Sequence, residues 1–179
     1  MKIIQEESLS TMQMLERMFQ AEMAFMESEP QDISLLADAF HPDVVVHEPT
    51  SLPYSGDWIG LEGIAGLMQK MSKAFSKVSV EDLSYVGSPT KLYVSCILHL
   101  TARATGISVT QPFSEILRFE NGLLVEGTPF YFDTAEIDAI LNQRKLGARR
   151  KGHGVAPRQR RCALPRPRKK CSRLGWASR

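Results

Sequence analysis

The chain has 179 residues and a formal net charge of +2, which suits one domain of ordinary size. That total averages two unlike segments. Residues 1–143 hold all 20 acidic residues against 8 Lys and Arg, for −12, and residues 144–179 hold the other 14 basic residues and no acid, for +14. No apolar run reaches the roughly 18–20 residues that cross a bilayer, and the N-terminus lacks the apolar stretch of a secretory signal. The three cysteines, Cys96, Cys162 and Cys171, stand at no spacing that marks zinc or a disulfide framework. A cytoplasmic protein without membrane association, metal or cofactor is expected.

Between residues 9 and 26, Leu9, Met12, Leu15, Met18, Phe19, Met23, Phe25 and Met26 recur at steps of three to four, which predicts an amphipathic helix packed on a sheet. Pro30 ends it. Asp32 is an N-cap candidate for a short helix through Phe40, with Ile33, Leu36, Ala37 and Phe40 on one face. Residues 44–48 read as a strand, residues 49–60 as a Pro/Gly loop, and residues 61–74 as a second amphipathic helix. Four strands follow over residues 79–86, 91–104, 108–119 and 123–132. Asn121-Gly122 between the last two is the strongest short hairpin signal a sequence offers. A closing helix over 134–141 takes Thr134 as its N-cap. Helices followed by runs of strands define an α+β fold, here a cone-shaped, curved, mostly antiparallel sheet with three to four helices on its concave side. The open end of such a cone suits a small ligand.

Strand alternation singles out two carboxyls. Val109, Gln111, Phe113, Glu115, Leu117 and Phe119 share one face, and Val44, Val46 and Glu48 share another, so each Glu closes an apolar row. Burial disfavours the charged form and raises a carboxyl's pKa. Two carboxyls raised to different degrees can divide the work of general base and hydrogen-bonding acid. The alternative is that each lies at a frayed strand end or beside a bulge that turns it to water.

Residues 39–49, Ala-Phe-His-Pro-Asp-Val-Val-Val-His-Glu-Pro, with Ser55-Gly56 and Gly60-Leu-Glu-Gly-Ile-Ala, resemble the SnoaL-like and ketosteroid-isomerase-like proteins of the nuclear-transport-factor-2-like superfamily. The ending, residues 113–119, Asn121-Gly-Leu-Leu-Val-Glu and Phe130-Tyr-Phe-Asp-Thr, is similar to them too. The resemblance covers about residues 10–142. It implies a cone that is usually dimeric, here a homodimer through the sheet, with a mostly apolar pocket for a small apolar molecule. In the isomerases a carboxylate followed by Pro is the proton-shuttling base, which Glu48-Pro49 matches with Glu for Asp. A second carboxyl ahead of an aromatic-Arg-aromatic strand end donates to the oxyanion, which Glu115 before Ile116-Leu-Arg-Phe fits. The isomerases' third element, a Tyr on the first helix, has no counterpart here; the region offers Phe19, Glu22 and Phe25 instead. The pattern is closer to the SnoaL-like branch, which includes polyketide cyclases.

The remaining candidates each carry two readings. Tyr131 fits a replacement hydroxyl donor if its face is inward. Tyr54 and Trp58 fit either pocket-mouth aromatics that clamp a planar ligand or anchors of their own loop. Phe113 lines the pocket by parity. On residues 91–104, Leu92, Val94, Cys96, Leu98, Leu100 and Ala102 form a core face; His99, on the other, is either a ligand contact or a satisfied sheet histidine. His47 alternates with Glu48 and faces away from it. Metal, phosphate-loop and nucleophile-elbow motifs are lacking.

Residues 144–179, rich in Arg, Pro and Gly, cannot bury enough surface to offset their ordering entropy and are expected to be disordered. A nucleic-acid arm, a strap across the acidic body, and the product of a slipped reading frame in GC-rich DNA all fit their composition; nucleic-acid binding by residues 1–143 is not expected. The functional expectation is a small-molecule pocket protein with acid–base chemistry on an apolar carbonyl-bearing or polycyclic substrate, Glu48 as base and Glu115 as protonated donor. The alternative is a non-catalytic ligand-binding or dimerisation module of the same fold.

Overall fold

The computed structural model describes residues 10–147 and 174–177, with side chains over residues 10–142. Helix α1, Thr11–Glu27, opens on a reciprocal cap: Ser10 Oγ accepts from Gln13 N and the Gln13 side chain accepts from Ser10 N. Its buried residues Met14, Leu15, Met18, Ala21 and Phe25 form one stripe. Asp32 caps the following turn as expected, but that turn, Ile33–Asp38, is a 3-10 helix.

Strand β1, Phe40–Glu48, begins earlier than its hydrophobic run and buries Val44, Val46 and Glu48 on one face. The segment expected to be loop contains β2, Gly56–Ile59, which pairs antiparallel with β1. Sequence patterning passes over it because only Trp58 is half-buried there, so no alternation records the strand. Helix α2, Gly60–Ala74, buries Ile64, Ala65, Leu67 and Met68.

Then come β3, Phe75–Ser88, β4, Lys91–Ala102, β5, Ser108–Glu120, and β6, Leu123–Tyr131. Asn121 and Gly122 both take positive φ, 51° and 78°, the left-handed pair that a two-residue hairpin demands. In β3 the register slips between Glu81 and Ser84, with Asp82 at φ 53°. Such a bulge bends its strand and strengthens the twist. The strand order is β2-β1-β6-β5-β4-β3-β7. All pairs are antiparallel except β1 with β6, so the sheet is mixed, with two chain-distant strands paired next to its β2 edge.

Helix α3, Thr134–Gly147, runs beyond its expected end. Its cap is Asp133, whose Oδ1 accepts from Glu136 N at 3.0 Å, and not Thr134, whose hydroxyl instead accepts from Ser51 Oγ at 2.8 Å. The expected disorder of residues 144–179 falls mostly outside the described residues. The exceptions are residues 144–147, which end α3, and β7, Leu174–Ala177, antiparallel to the edge of β3 with Val78 opposite Trp176. Among the described residues no helix is long and apolar enough to cross a membrane.

Candidate functional site

Alternation carries both singled-out carboxyls to the same side of the sheet. Glu48, the last residue of β1, is buried. It accepts long hydrogen bonds from the Tyr131 hydroxyl, 3.5 Å to Oε1 and 3.4 Å to Oε2. Glu115 lies on β5 opposite Val94 of β4 and Pro129 of β6. Its carboxyl leans over Gly127: a Cβ built at that glycine would stand 3.3 Å from Glu115 Oε1 and 3.3 Å from Val46 Cγ2. Gly127 is the β6 residue between Leu117 of β5 and Val46 of β1. The missing side chain there lets the Glu115 carboxyl reach across β6 toward the face that carries Glu48.

A third carboxyl joins them from α1. Glu22 stands in line with Leu15, Met18 and Phe25, the buried stripe of that helix, and the charge of Glu115 acts on it. The three titrate far above the ordinary carboxylate range. Glu22 is pushed up to about 8 by desolvation and then by Glu115. Glu48 is also raised to about 8, by burial first and by Glu115 second, against the Tyr131 hydrogen bond, which favours its ionised form. Glu115 is raised to about 7 by desolvation. No cationic side chain figures among the causes for any of the three. With no counter-charge among those causes, all three carboxyls keep their protons to higher pH than an exposed carboxylate does.

Aromatic and polar groups frame the cluster. The Phe113 and Tyr131 rings meet edge to face at 5.1 Å. Tyr54 is 1% exposed; its ring meets Phe75 edge to face at 6.1 Å. Its hydroxyl lies beside that of Tyr131 and near Glu48, close enough for the two hydroxyls to interact, though not in ideal hydrogen-bond geometry. Burial and these neighbours hold the Tyr54 and Tyr131 hydroxyls protonated, well above their ordinary range. Cys96, opposite Phe113, is pushed up to about 11 by burial and by Glu115, so it is a thiol and not a nucleophile at neutral pH.

Tyr131, Tyr54 and Phe113 are thus brought to Glu48 and Glu115; Trp58 and His99 are not. Trp58 anchors its own loop, donating from Nε1 to Tyr54 O at 2.9 Å and lying beneath Lys70 Nζ. His99 is on the opposite face of β4, with Nδ1 2.9 Å from Thr110 Oγ1 and Nε2 3.5 Å from Glu81. Its parity is opposite to that of Cys96 and Leu98, so it faces away from the cluster, and its buried Nε2 makes no hydrogen bond of its own. His47 likewise faces away, toward Asp57 and Glu126.

Two polar residues of this interior were not singled out from sequence. Glu22 was noted only as a substitute for an absent Tyr, although a charge inside an apolar helical stripe is itself a signal. Gln111 shares the inward parity of Glu115 and is 3% exposed. Its Oε1 accepts from Asp133 N at 2.6 Å, while its Nε2 has no partner. Among the described residues no group of three or more His, Cys, Asp or Glu is arranged to hold a metal ion. A groove of ≈ 560 Å³ between α1 and the 3-10 turn, lined by Gln13, Glu16, Arg17, Gln20 and Asp38 among others, does not include the carboxyl cluster.

A curved mixed sheet closed by helices over an interior carboxyl cluster defines an α+β cone of the nuclear-transport-factor-2-like class. The pattern of the SnoaL-like domain matches residues 15–127, and the chain belongs to that family. Among curated proteins, none matches it in sequence. Among solved structures it is similar to a nuclear-transport-factor-2-like protein of unknown function from Burkholderia pseudomallei, with 23% identity and a TM-score of 0.59 over 72% of this chain and 96% of that one. It is similar to TerC, co-crystallised with polyporic acid, at 16% identity and TM-score 0.58 over 72% and 98%. A putative SnoaL-like polyketide cyclase from Jannaschia aligns at 14% identity and TM-score 0.57 over 73% and 90%. At these identities the likeness is one of fold.

Proposed function

We propose that residues 1–143 form a small-molecule enzyme domain that moves a proton on an apolar, carbonyl-bearing or polycyclic substrate, using the carboxyls of Glu48 and Glu115. The observation that carries this reading is the pair of inward carboxyls, raised to about 8 and about 7, with the Tyr131 hydroxyl on one of them. Near neutrality such a pair holds one negative charge. One carboxyl takes a proton from carbon while the other, with Tyr131, donates to the oxygen on which charge develops. The isomerase resemblance assigns the base to Glu48 and the donor to Glu115. Tyr54 and Phe113 supply the apolar wall. Glu22 and Glu115 are desolvated and yet keep some accessible surface, which is how groups that line a hollow behave.

A second copy of the chain is the partner this reading assigns to the outer face of the sheet. Val86, Tyr93 and Phe130 are 70%, 47% and 51% exposed there, and the pairing of Val86 with Tyr93, Tyr93 with Ile116, and Ser114 with Phe130 makes them one patch. The test of function is hydrogen exchange into heavy water at the carbon beside the carbonyl of indanone, followed by NMR. Exchange accelerated by the wild type and lost in both Glu48→Gln and Glu115→Gln supports the reading. Equal exchange in all three proteins, or none above buffer, leaves a ligand-binding module of the same fold.

A further inference from the structure

The end of β1 is joined to β6 by side chains and not by its backbone. The paired register of these parallel strands runs from Phe40 opposite Leu124 to Val46 opposite Gly127 and no further, yet β1 continues through His47 to Glu48. On its other side β1 stays paired with the edge strand β2 as far as Glu48 opposite Gly56. Pro49 follows and brings no N–H to a further bond. Two ties to β6 remain. On the inner face the Tyr131 hydroxyl reaches Glu48 at 3.4 and 3.5 Å, long for a hydrogen bond. On the outer face His47 Nε2 stands 3.5 Å from Glu126 Oε1.

The outer tie belongs to a row of charge that crosses β2, β1, β6 and β5. Asp57 Oδ1 of β2 lies 2.7 Å from His47 Nδ1, His47 faces Glu126 of β6, and Glu126 turns its other oxygen, Oε2, to Arg118 Nη1 of β5 at 3.0 Å. Among the described residues the charged groups that face His47 are thus Asp57 and Glu126, with Arg118 behind Glu126; Val45, the next residue of the same parity on β1, is uncharged. A neutral imidazole carries one N–H. With that proton on Nδ1 for Asp57, Nε2 turns a lone pair toward the Glu126 carboxylate. The imidazolium presents an N–H to each. The tie to β2 therefore survives in both forms, and the tie to β6 needs the proton.

Alternation sets this row one residue away from the candidate site on each strand. His47 precedes Glu48, and Glu126 precedes Gly127, the glycine over which the Glu115 carboxyl leans. A movement of β1 against β6 at His47 and Glu126 is passed directly to Glu48 and Tyr131. We propose that His47 is a positioning residue for Glu48: as a cation it draws the end of β1 onto β6 through Glu126 and so sets the distance from the Glu48 carboxyl to the Tyr131 hydroxyl. The inference rests on the reading of Glu48 as a site residue and adds its control from the opposite face of the sheet. His47 touches no substrate and takes no part in the proton transfer.

The test needs no substrate. The full chain is labelled with carbon-13 at the tyrosine ring carbon that bears the hydroxyl and at histidine Cε1, and both signals are followed by NMR between about pH 5 and 8.5, the range in which imidazoles titrate. The Tyr131 signal is expected to take a step at the midpoint of His47. That step should vanish in His47→Phe, which carries no charge, and in Glu126→Gln, which keeps the imidazole and removes the charge it pairs with; movement common to all the proteins belongs to the carboxyls. His47→Arg, a cation at every pH of the range, should lack the step and hold the Tyr131 signal at its acid-side position. A wild-type Tyr131 signal without a step at the His47 midpoint overturns the inference. So does a step that persists in Glu126→Gln, which would mean that the imidazolium acts through space alone. Neither result touches the proton-transfer reading, which the exchange assay decides, and a failure of that assay leaves the Tyr131 signal to be read as it stands.

Discussion

Replacing Glu48 by Gln is expected to stabilise the protein, and to do so only at higher pH. Gln is nearly isosteric with a protonated Glu and keeps an acceptor for Tyr131, so it mimics the form that Glu48 holds in the folded state. The carboxyl titrates at about 8 in the fold against 4.5 when exposed. Between those values the folded protein retains a proton that the unfolded chain has released, so stability falls as pH rises. The stabilisation from the protonated form is complete below 4.5 and is lost as pH climbs through 8. Each pH unit in that window is worth about 1.4 kcal/mol for one group. At pH 7 the wild type therefore carries a penalty on the order of 3 kcal/mol that Glu48→Gln lacks. For a domain of this size that is roughly 10 °C in Tm. Thermal unfolding of both proteins should give equal Tm near pH 4.5–5 and a widening gap in favour of the variant toward pH 8. A wild-type Tm that is flat or rising from pH 5 to 8, or a variant less stable than wild type at pH 8, would refute the burial argument.

Tyr131→Phe removes the one hydrogen bond that favours ionised Glu48, so the Glu48 carboxyl should titrate higher still; carbon-detected NMR of its carboxyl across pH 6–10 reads the direction. Gly127→Ala places a methyl 3.3 Å from both Glu115 Oε1 and Val46 Cγ2. It should cost about 1–3 kcal/mol in urea unfolding, and Glu115→Ala should relieve part of that loss in the double variant. Ser10→Ala breaks the α1 cap and should lower stability by about 1 kcal/mol, measured by the same unfolding; an unchanged midpoint would mean that α1 is held by its buried stripe alone.

Periodicity made the architecture legible where one face is buried and the other wet. The alternation of β4 and β5, Cys96 and Leu98 against His99, Phe113 and Glu115 against Ser114, is reproduced, and Asn121-Gly122 makes the turn between β5 and β6, whose register then slips once between Arg118 and Phe119. Legibility failed where burial is one-off. β2 exposes most of its residues, and the first four residues of β3 precede its expected start at Ser79, because a helix ends directly into a strand at Phe75. The α3 cap went to Asp133 because its carboxylate competes better than the Thr134 hydroxyl for the first free amides.

The site was legible only pairwise. Parity within a strand says that Glu48 and Glu115 point inward, but not that they meet. Their meeting depends on the parallel pairing of β1 with β6, strands about 80 residues apart, and on an absent side chain at Gly127. Glu22 depends on a helix crossing the sheet, which no local period encodes. The charge split acquires its meaning at this level. Counted without residues 144–179 the body carries −12, which the whole-chain total of +2 conceals. The carboxyls of the candidate site all belong to that acidic body, and the basic residues that offset it in the total all follow Gln143.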